Sequence, residues 1–240
     1  MKPSNYILLA LIAIVSLSLI ASNYLMKAEY NKLDKNDPYY NYKTVLNQPF
    51  HHLQINGGNF AYTNFEPSEK YGVRHVKYHQ LELEKVIYKI INDTLFMSFP
   101  DSVFKKENNR FYASFDYPVI IISAPDLKSI NGINCLLGFN KMNQTEYQIQ
   151  LNGNSNATIK TQKALINTME ISLADSSNLN IQNSDSLKER ISIDHVLAHI
   201  KNASVANFGN SKINHLNAQL DSLAAIQLSG FNLNRLKNMP

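Results

Sequence analysis

The chain has 240 residues, of which 44% are hydrophobic and 18% charged, so it is long and apolar enough to bury a core and is not a disordered sequence. Its formal net charge of +4 comes from interspersed cationic and anionic residues, which argues against a nucleic-acid-binding protein. The single cysteine, Cys135, excludes an internal disulfide and a cysteine-based zinc site, and its surroundings ("INCLLGF") predict a small buried hydrophobe.

The N-terminal run "YILLALIAIVSLSLIASNYLM" carries no charged side chain and is long enough to cross the hydrocarbon layer as one helix. A cleavable signal peptide is the alternative, but the end of the run offers only poor matches to a small-x-small cleavage site. We therefore predict an uncleaved membrane anchor over residues 1–27, with the N-terminus in the cytoplasm. A polar, proline-broken linker over 28–49 and one folded domain over 50–240 are expected to follow.

The next part of the chain alternates between apolar and polar residues, which predicts β-strands. Such alternation occurs at Leu53 to Ile55 and at Leu81 to Glu84, and Val119 to Ile122 form an apolar run between two prolines. Val86 to Phe99 predict a hairpin, because Asn92-Asp93 separate two β-prone runs and both residues tolerate the positive φ of a tight turn.

A repeat becomes measurable when "YQIQLNGNSNATIKT" is aligned with "MEISLADSSNLNIQN", since equivalent apolar and serine positions lie 22 residues apart. The pairs that share this offset predict a stacked apolar core, formed by Ile149, Leu151, Ile159, Ile171, Leu173 and Ile181. Ser155 and Ser177 share the offset in the turn, and looser copies place Ser204 and Ser229 at equivalent positions.

A period in the low to mid twenties, built of short strands and Asn/Gly/Ser turns, predicts one coil of a β-solenoid. In such a fold the inward side chains of successive coils stack. Asn and Ser in the turns can adopt αL conformations and hydrogen-bond along the stack, and Gly allows positive φ without a steric penalty.

The stretches "FHHLQINGG", "INDTLFMSF" and "APDLKSINGINCLL", followed by degenerate repeats, resemble the putative autotransporter adhesin, head-GIN family of Bacteroidetes-type envelope proteins. The resemblance covers roughly Phe50 to Leu236. It implies a right-handed β-helix-like solenoid and a role in adhesion. Together with the hairpin and anchor predicted above, the expected fold class is an all-β solenoid with an N-terminal strand and hairpin portion, preceded by one transmembrane helix. The resemblance supplies no catalytic residues. The later coils carry Asn, Ser and Ala where such domains commonly have a Ser-Gly pair.

Two pairs of histidines are spaced four residues apart, which on a helix would suit a metal site, but the local pattern predicts strands. Four residues along a strand return to the same face about 13 Å apart, too far for one ion. Three aspartates fall in or near predicted turns without a paired carboxylate, and His51-His52 are expected to be exposed polar positions. We therefore expect no catalytic, cofactor-binding or metal-binding residue among these candidates, which are His75, His79, His195, His199, Asp175, Asp185 and Asp194.

The sequence favours a membrane-anchored, non-catalytic protein of a bacterial envelope, with its domain facing the periplasm or the exterior. Its expected partners are the membrane, through the N-terminal helix, and a glycan or an envelope protein bound over several exposed Tyr, Asn and Ser side chains. A structural role as a homo-oligomer, pairing through open solenoid edges, is one alternative. A β-helix carbohydrate-active enzyme is the other.

Overall fold

The computed structural model describes residues 3–32, 34, 36–77, 82–100, 117–141, 144–161, 164–182, 191–230 and 232–233. It divides into two compact units, Met1–Tyr42 and Lys43–Pro240. The first unit contains a 29-residue helix, α1 (Pro3–Asn31), whose apolar window has a mean hydropathy of 2.2 and no buried residue. By length and composition α1 could cross a membrane, and it ends four residues beyond the predicted anchor boundary at Lys27.

The described residues form seventeen strands, and the first of them begins at the last residue of the N-terminal unit. In chain order the strands are β1 (Tyr42–Leu46), β2 (His52–Asn56), β3 (Thr63–Pro67), β4 (Gly72–Val76), β5 (Ile87–Ile91), β6 (Thr94–Ser98), β7 (Ile120–Ala124), β8 (Ser129–Ile133), β9 (Leu136–Asn140), β10 (Glu146–Asn152), β11 (Asn156–Lys160), β12 (Leu165–Leu173), β13 (Asn178–Gln182), β14 (Ser192–Ile200), β15 (Val205–Asn207), β16 (Lys212–Leu220) and β17 (Ala225–Gln227).

The strands belong to two sheets. The nine-stranded sheet has the order β1-β4-β7-β3-β9-β11-β13-β15-β17, and the eight-stranded sheet has the order β16-β14-β12-β10-β8-β2-β6-β5. From β8 onward successive strands alternate between the sheets, and each pairs in parallel with the strand two places along the chain. Both sheets are mixed, because β4 pairs antiparallel with β7 in the first and β5 pairs antiparallel with β6 in the second. Neither sheet is closed. The structure thus shows a mostly β protein with one apolar helix, which does not by itself establish the β-solenoid class.

The N-terminal half contains the predicted hairpin. Strands β5 and β6 pair antiparallel around Asn92 and Asp93, whose φ angles are 47° and 64°. The strand predicted at Leu81 to Glu84 is wrong, because Leu83–Lys85 form a 3₁₀ turn; Leu81 lies outside the described residues. One buried leucine, Leu83, beside charged residues is too short a pattern to distinguish a strand from a turn.

The residues of the expected apolar stack lie in three in-register pairs. Ile149 is opposite Ile171 and Leu151 is opposite Leu173 in the eight-stranded sheet. Ile159 is opposite Ile181 in the nine-stranded sheet. All six side chains are at most 1% exposed and belong to one apolar cluster to which both sheets contribute. Each buried Leu or Ile contributes about 1.5–3 kcal/mol, so the stack is a main source of stability.

Serines stack at the corner that precedes β11, β13 and β15. Ser155, Ser177 and Ser204 are fully buried, and the backbone amide of each of the first two donates to the hydroxyl of the next, at 3.4 and 3.1 Å. The expected continuation at Ser229 is wrong. Strand β17 pairs with β15 so that Ala225 faces Val205, and Ala224 therefore takes the position after Ser204. The last repeat is shorter than the 25 residues that the serine spacing suggested.

The adjacent turns carry the expected αL residues. Asn154, Asp175 and Asn202 have φ between 54° and 57°, and the amide of Asn154 donates to the carbonyl of Asp175 at 2.7 Å. The stack of turns ends at Asp221, whose Oδ2 accepts the amide of Asn202 at 2.6 Å. The backbone hydrogen bond from Asn202 is the main reason why the pKa of the Asp221 carboxyl is lowered.

Candidate functional site

The outward side of the eight-stranded sheet carries a mainly polar surface, here named the polar face and defined by the outward side chains of β6, β2, β8, β10, β12, β14 and β16. Strand β10 shows how the sequence produces it. Tyr147, Ile149 and Leu151 are buried, whereas Gln148 and Gln150 between them are exposed, because successive strand residues point to opposite sides.

Parallel pairing in register arranges these outward residues in two rows that run across the strands. Neighbours within a row come from adjacent strands, about 4.8 Å apart. The first row, from β6 to β16, is Thr94, His52, Ser129, Gln148, Glu170, Leu197 and Asn217. The second row is Phe96, Gln54, Asn131, Gln150, Ser172, His199 and Gln219.

Three grooves lie on the polar face. One of about 450 Å³ spans β6, β2, β8 and β10, and its lining includes Gln54, Asn131 and Gln150. A second, of about 280 Å³, lies between β10, β12 and β14, and a third, of about 510 Å³, is lined by Lys128, Glu146 and neighbouring residues. The first two grooves adjoin across the sheet and share Gln148 and Gln150, and the third lies beside the second on β10 and β12. The face therefore suits an extended ligand better than a compact one.

The chemistry of the first groove is that of neutral hydrogen-bonding groups. The buried Oδ1 of Asn131 has no hydrogen-bond partner within the described part of the chain. An unpaired buried acceptor is unfavourable unless water or a ligand satisfies it. A hydroxyl or amide donor from a ligand would supply the missing partner once the half-buried Asn131 side chain turns towards the groove, where Gln54 and Gln150 beside it offer further donors and acceptors.

A serine and a histidine are also paired on this face. His52 Nδ1 lies 2.6 Å from Ser129 Oγ, the separation of a nucleophile and its general base. Such a pair normally needs a third group that orients the imidazole. Among the described residues no carboxylate hydrogen-bonds the other ring nitrogen of His52. The contact also joins two neighbouring positions of the first row, so it holds β2 and β8 together.

His51, expected to be an exposed polar position, is half-buried in a cluster of its own. Its Nδ1 lies 2.8 Å from both carboxylate oxygens of Asp93, and its Nε2 is 3.1 Å from Tyr71 Oη and 3.3 Å from Asp126 Oδ1. The hydrogen bond from His51 is the main reason why the pKa of the Asp93 carboxyl is lowered. Because the amides of His51 and His52 also donate to the carbonyl of Asp93, this cluster ties the hairpin turn to the start of β2.

The other candidate residues are dispersed. His75 is buried in β4 and its Nδ1 contacts the carbonyl of Val76 at 3.1 Å. His195 and His199 occupy the same strand and the same face, as expected, but His195 stacks on His215 of the neighbouring strand. Asp175 accepts a hydrogen bond from Asn202 Nδ2 at 2.7 Å. His79 and Asp185 lie outside the described residues.

Cys135 and several tyrosines are core residues. Cys135 is 1% exposed, which confirms the buried hydrophobe, and burial raises the pKa of its thiol to about 11. Tyr62 and Tyr147 are buried too, and burial raises the pKa of Tyr62 to about 12. The exposed tyrosines expected on a binding surface are therefore not found on the described polar face, where Gln, Asn, Ser and His side chains dominate.

No family model matches the chain, and no curated protein matches it. Solved structures with a similar chain path include a "putative adhesin" from Bacteroides fragilis NCTC 9343, with 13% identity and a TM-score of 0.44, covering 78% of this chain and 95% of that chain. A "putative adhesin" from Parabacteroides distasonis ATCC 8503 has 13% identity and a TM-score of 0.35, covering 79% of this chain and 94% of that chain.

A "putative lipid binding protein" from Parabacteroides distasonis ATCC 8503 has 14% identity and a TM-score of 0.35, and covers 78% of this chain and 92% of that chain. At these identities and TM-scores the likeness carries no conclusion about function, and the different names of these proteins do not agree on a ligand.

Proposed function

We propose that this chain is a membrane-anchored, non-catalytic protein of a bacterial envelope whose polar face binds an extended, hydroxyl-rich polymer such as a glycan. The domain is a β-solenoid of the head-GIN type, which the alternation of β8 to β17 between two sheets supports. The observation that carries the ligand is the pair of adjoining grooves across the polar face, the first of which has the neutral amides of Gln54, Asn131 and Gln150 in its lining.

The character of these groups favours binding over chemistry. Amide and hydroxyl side chains at about 4.8 Å intervals can hydrogen-bond successive units of a polymer, and none of them is a strong acid, base or nucleophile. Binding free energy would then be spread over several positions, each contributing a modest share. This set of side chains differs from the expected one, which included exposed Tyr side chains, because Tyr147 is buried and does not reach the described polar face.

Binding can be tested on an array of neutral polysaccharides with the full chain in detergent micelles. We expect binding without release of reducing ends, and a loss of about tenfold or more when Asn131 and Gln150 are both replaced by Ala, since each removes hydrogen bonds of about 1 kcal/mol. Asn178→Ala is the matched control, because Asn178 is an exposed amide on a strand of the other sheet. Equal losses in the control would contradict the assignment to the polar face.

Turnover is the outcome that would replace this function by an enzymatic one. If an ester group on a polysaccharide is hydrolysed and Ser129→Ala abolishes the hydrolysis while binding is retained, the Ser129 and His52 pair acts as a nucleophile and base, and the non-catalytic proposal is wrong. We expect Ser129→Ala to leave binding within a few-fold of the parent and no cleavage in either protein.

The anchor has a separate test. The uncharged run from Tyr6 to Met26 within α1 is held in lipid far more strongly than a surface contact, so the full chain should stay in the membrane fraction after carbonate and high-salt washing. Recovery of a mature chain that starts near Asn23 would show a cleaved signal peptide instead.

A further inference from the structure

Asp194, His195 and His215 form a cluster at the β14 and β16 end of the polar face. The imidazole rings of His195 and His215 are stacked, with centroids 4.7 Å apart and an angle of 14° between the planes. The carboxylate Oδ2 of Asp194 lies 3.3 Å from His195 Nε2. One potential ligand atom from each of the three residues lies within 4.8 Å of the others.

Strand register and one extra residue bring these side chains together. His195 faces His215 directly, and the buried pair Ile193 and Ile213 precedes them in the same two strands. The next buried residue of β14 is Val196, so two residues rather than one separate the inward positions. In a regular strand Asp194 would point to the opposite side from His195. The extra residue interrupts the alternation, so the Asp194 side chain is not turned into the core and is 47% exposed.

The same irregularity recurs in β12, the neighbour of β14 in the sheet. The amides of Asn167 and Thr168 both donate to the carbonyl of Thr145, at 2.7 and 3.1 Å, which is the pattern of a β-bulge. Asn167 and Thr168 align with Asp194 and His195 in the neighbouring strand. The bulge is therefore a repeated feature of neighbouring strands in this sheet. Only β14 and β16 carry imidazoles at it, and only β14 carries a carboxylate.

The donor set fits a divalent transition-metal ion. Imidazole nitrogens and one carboxylate oxygen are the ligands of zinc, nickel and copper sites, whereas calcium and magnesium prefer oxygen ligands alone. Asn214 Nδ2 donates to Asp194 Oδ1 at 2.7 Å, which leaves Oδ2 directed towards His195. A hydrogen bond of this kind orients a ligating carboxylate.

The distances are compatible with an ion after small side-chain rotations. Tetrahedral coordination at bond lengths of about 2.0–2.1 Å places neighbouring ligand atoms about 3.3 Å apart. The Asp194 and His195 atoms are already at that separation, and the His215 nitrogen, which lies within 4.8 Å of both, needs to move by at most about 1.5 Å. The His195 side chain is 52% exposed, so it can rotate without disturbing the core.

We propose that Asp194, His195 and His215 bind one divalent transition-metal ion, for which Zn²⁺ is the natural probe. The remaining coordination position is open to water or to a donor atom of another molecule. The ion joins β14 to β16, the strand at the end of the sheet, and stabilises the folded chain because it binds that state and not the unfolded one.

The test is a calorimetric titration of the untagged, chelator-treated full chain in detergent micelles with Zn²⁺. We expect one site that is weakened about tenfold or more by His195→Ala and by His215→Ala, and less by Asp194→Asn, which keeps one oxygen donor. His199→Ala is the matched control, since His199 is exposed on the same strand and face but outside the cluster, and it should leave this site unchanged.

Thermal melting supplies a second measurement on the same proteins. Zn²⁺ should raise the melting temperature of the parent and of His199→Ala, and the rise should disappear in the His195→Ala and His215→Ala variants, whose melting without zinc should match the parent. Zinc affinity that is unchanged in both variants, or lowered equally by His199→Ala, would overturn the proposal.

Discussion

The same register position is occupied by Leu173 in the middle of the eight-stranded sheet and by Leu220 at its end. Leu151, Leu173, Ile200 and Leu220 face one another in successive strands. Leu173 is fully buried, whereas Leu220 is 47% exposed. Leu173 has a paired residue in the strands on both sides of it, whereas Leu220 has a paired residue in one neighbouring strand within the described residues. An inward position in the sequence pattern therefore becomes a core position only when other residues cover it, as the neighbouring strand does at Leu173.

The corner beside this row shows the same contrast in polar groups. In the middle strands a buried serine hydroxyl accepts the amide of the preceding serine, and αL turns hydrogen-bond to one another through their backbones. At the end of the stack Ala224 replaces the serine and the carboxylate of Asp221 replaces the next backbone carbonyl. At the end of the stack the Asp221 side chain thus supplies the acceptor that the next turn supplies in the middle, and Ala224 supplies no hydroxyl.

The largest expected effect distinguishes the two leucines. Leu173→Asp should abolish cooperative folding, because an unpaired carboxylate in the apolar stack costs more than the 5–15 kcal/mol by which a domain is typically stable, or forces the core open. Leu220→Asp should change the free energy of unfolding by only about 0.5 kcal/mol. Chemical denaturation followed by circular dichroism measures both, and similar stabilities for the two variants would refute the difference between middle and end.

A smaller effect is expected at the serine corner. Ser177→Ala removes the acceptor of the Ser155 amide and the donor to the Ala174 carbonyl, so it should lower the free energy of unfolding by about 1–3 kcal/mol. The reciprocal change, Ala224→Ser, adds a hydroxyl at the half-buried end of the same stack and should shift it by about 0.5 kcal/mol or less. If Ser177→Ala melts like the parent, the hydroxyl stack contributes nothing to stability.

The smallest effect concerns acid. Because the pKa of Asp221 is lowered in the folded chain, its stabilising contribution is present above the ordinary pKa of an aspartate and is lost as the pH falls towards the lowered value. Asp221→Asn should therefore be less stable at pH 7 and lose less stability between pH 5 and pH 3. Asp175→Asn, in the preceding turn, is the control for a nearby carboxylate. Identical acid dependence of the parent and Asp221→Asn would show that the carboxylate does not cap the stack.

The repeat could be predicted from the sequence because its signal is a constant offset. Ile149 and Ile171 are 22 residues apart in the sequence and directly opposite in the sheet. The arrangement of the first half could not be predicted in this way. Strand β2 lies between β6 and β8, and β3 lies between β7 and β9, so each pairs with strands that follow at unequal distances along the chain. Pairings of that kind leave no common period.

The polar site was harder to predict than the core. Alternation identifies outward residues, but not which outward residues of different strands become neighbours. His195 was considered with His199 on its own strand, whereas its actual neighbour, His215, comes from the next repeat. A signal does exist, because "SIDHVL" and "KINHLN" place an Ile-x-His pattern 20 residues apart. Exposed tyrosines are expected on a binding surface, but Tyr147 buries its ring and its hydroxyl accepts the amide of Gln144.

The shared offset of 22 residues also makes part of this chain a module that can be copied. A segment from Gly153 to Ala174 begins in one turn and ends just before the equivalent turn, and it contains β11 and β12. A tandem duplicate would place Ile159 opposite its own copy and Leu173 opposite its own copy. Each new strand would then pair with strands that have apolar residues at the same register positions. Lengthening by whole modules is therefore compatible with the core, and a duplicated chain should retain a single unfolding transition, whereas a half-module insertion should not.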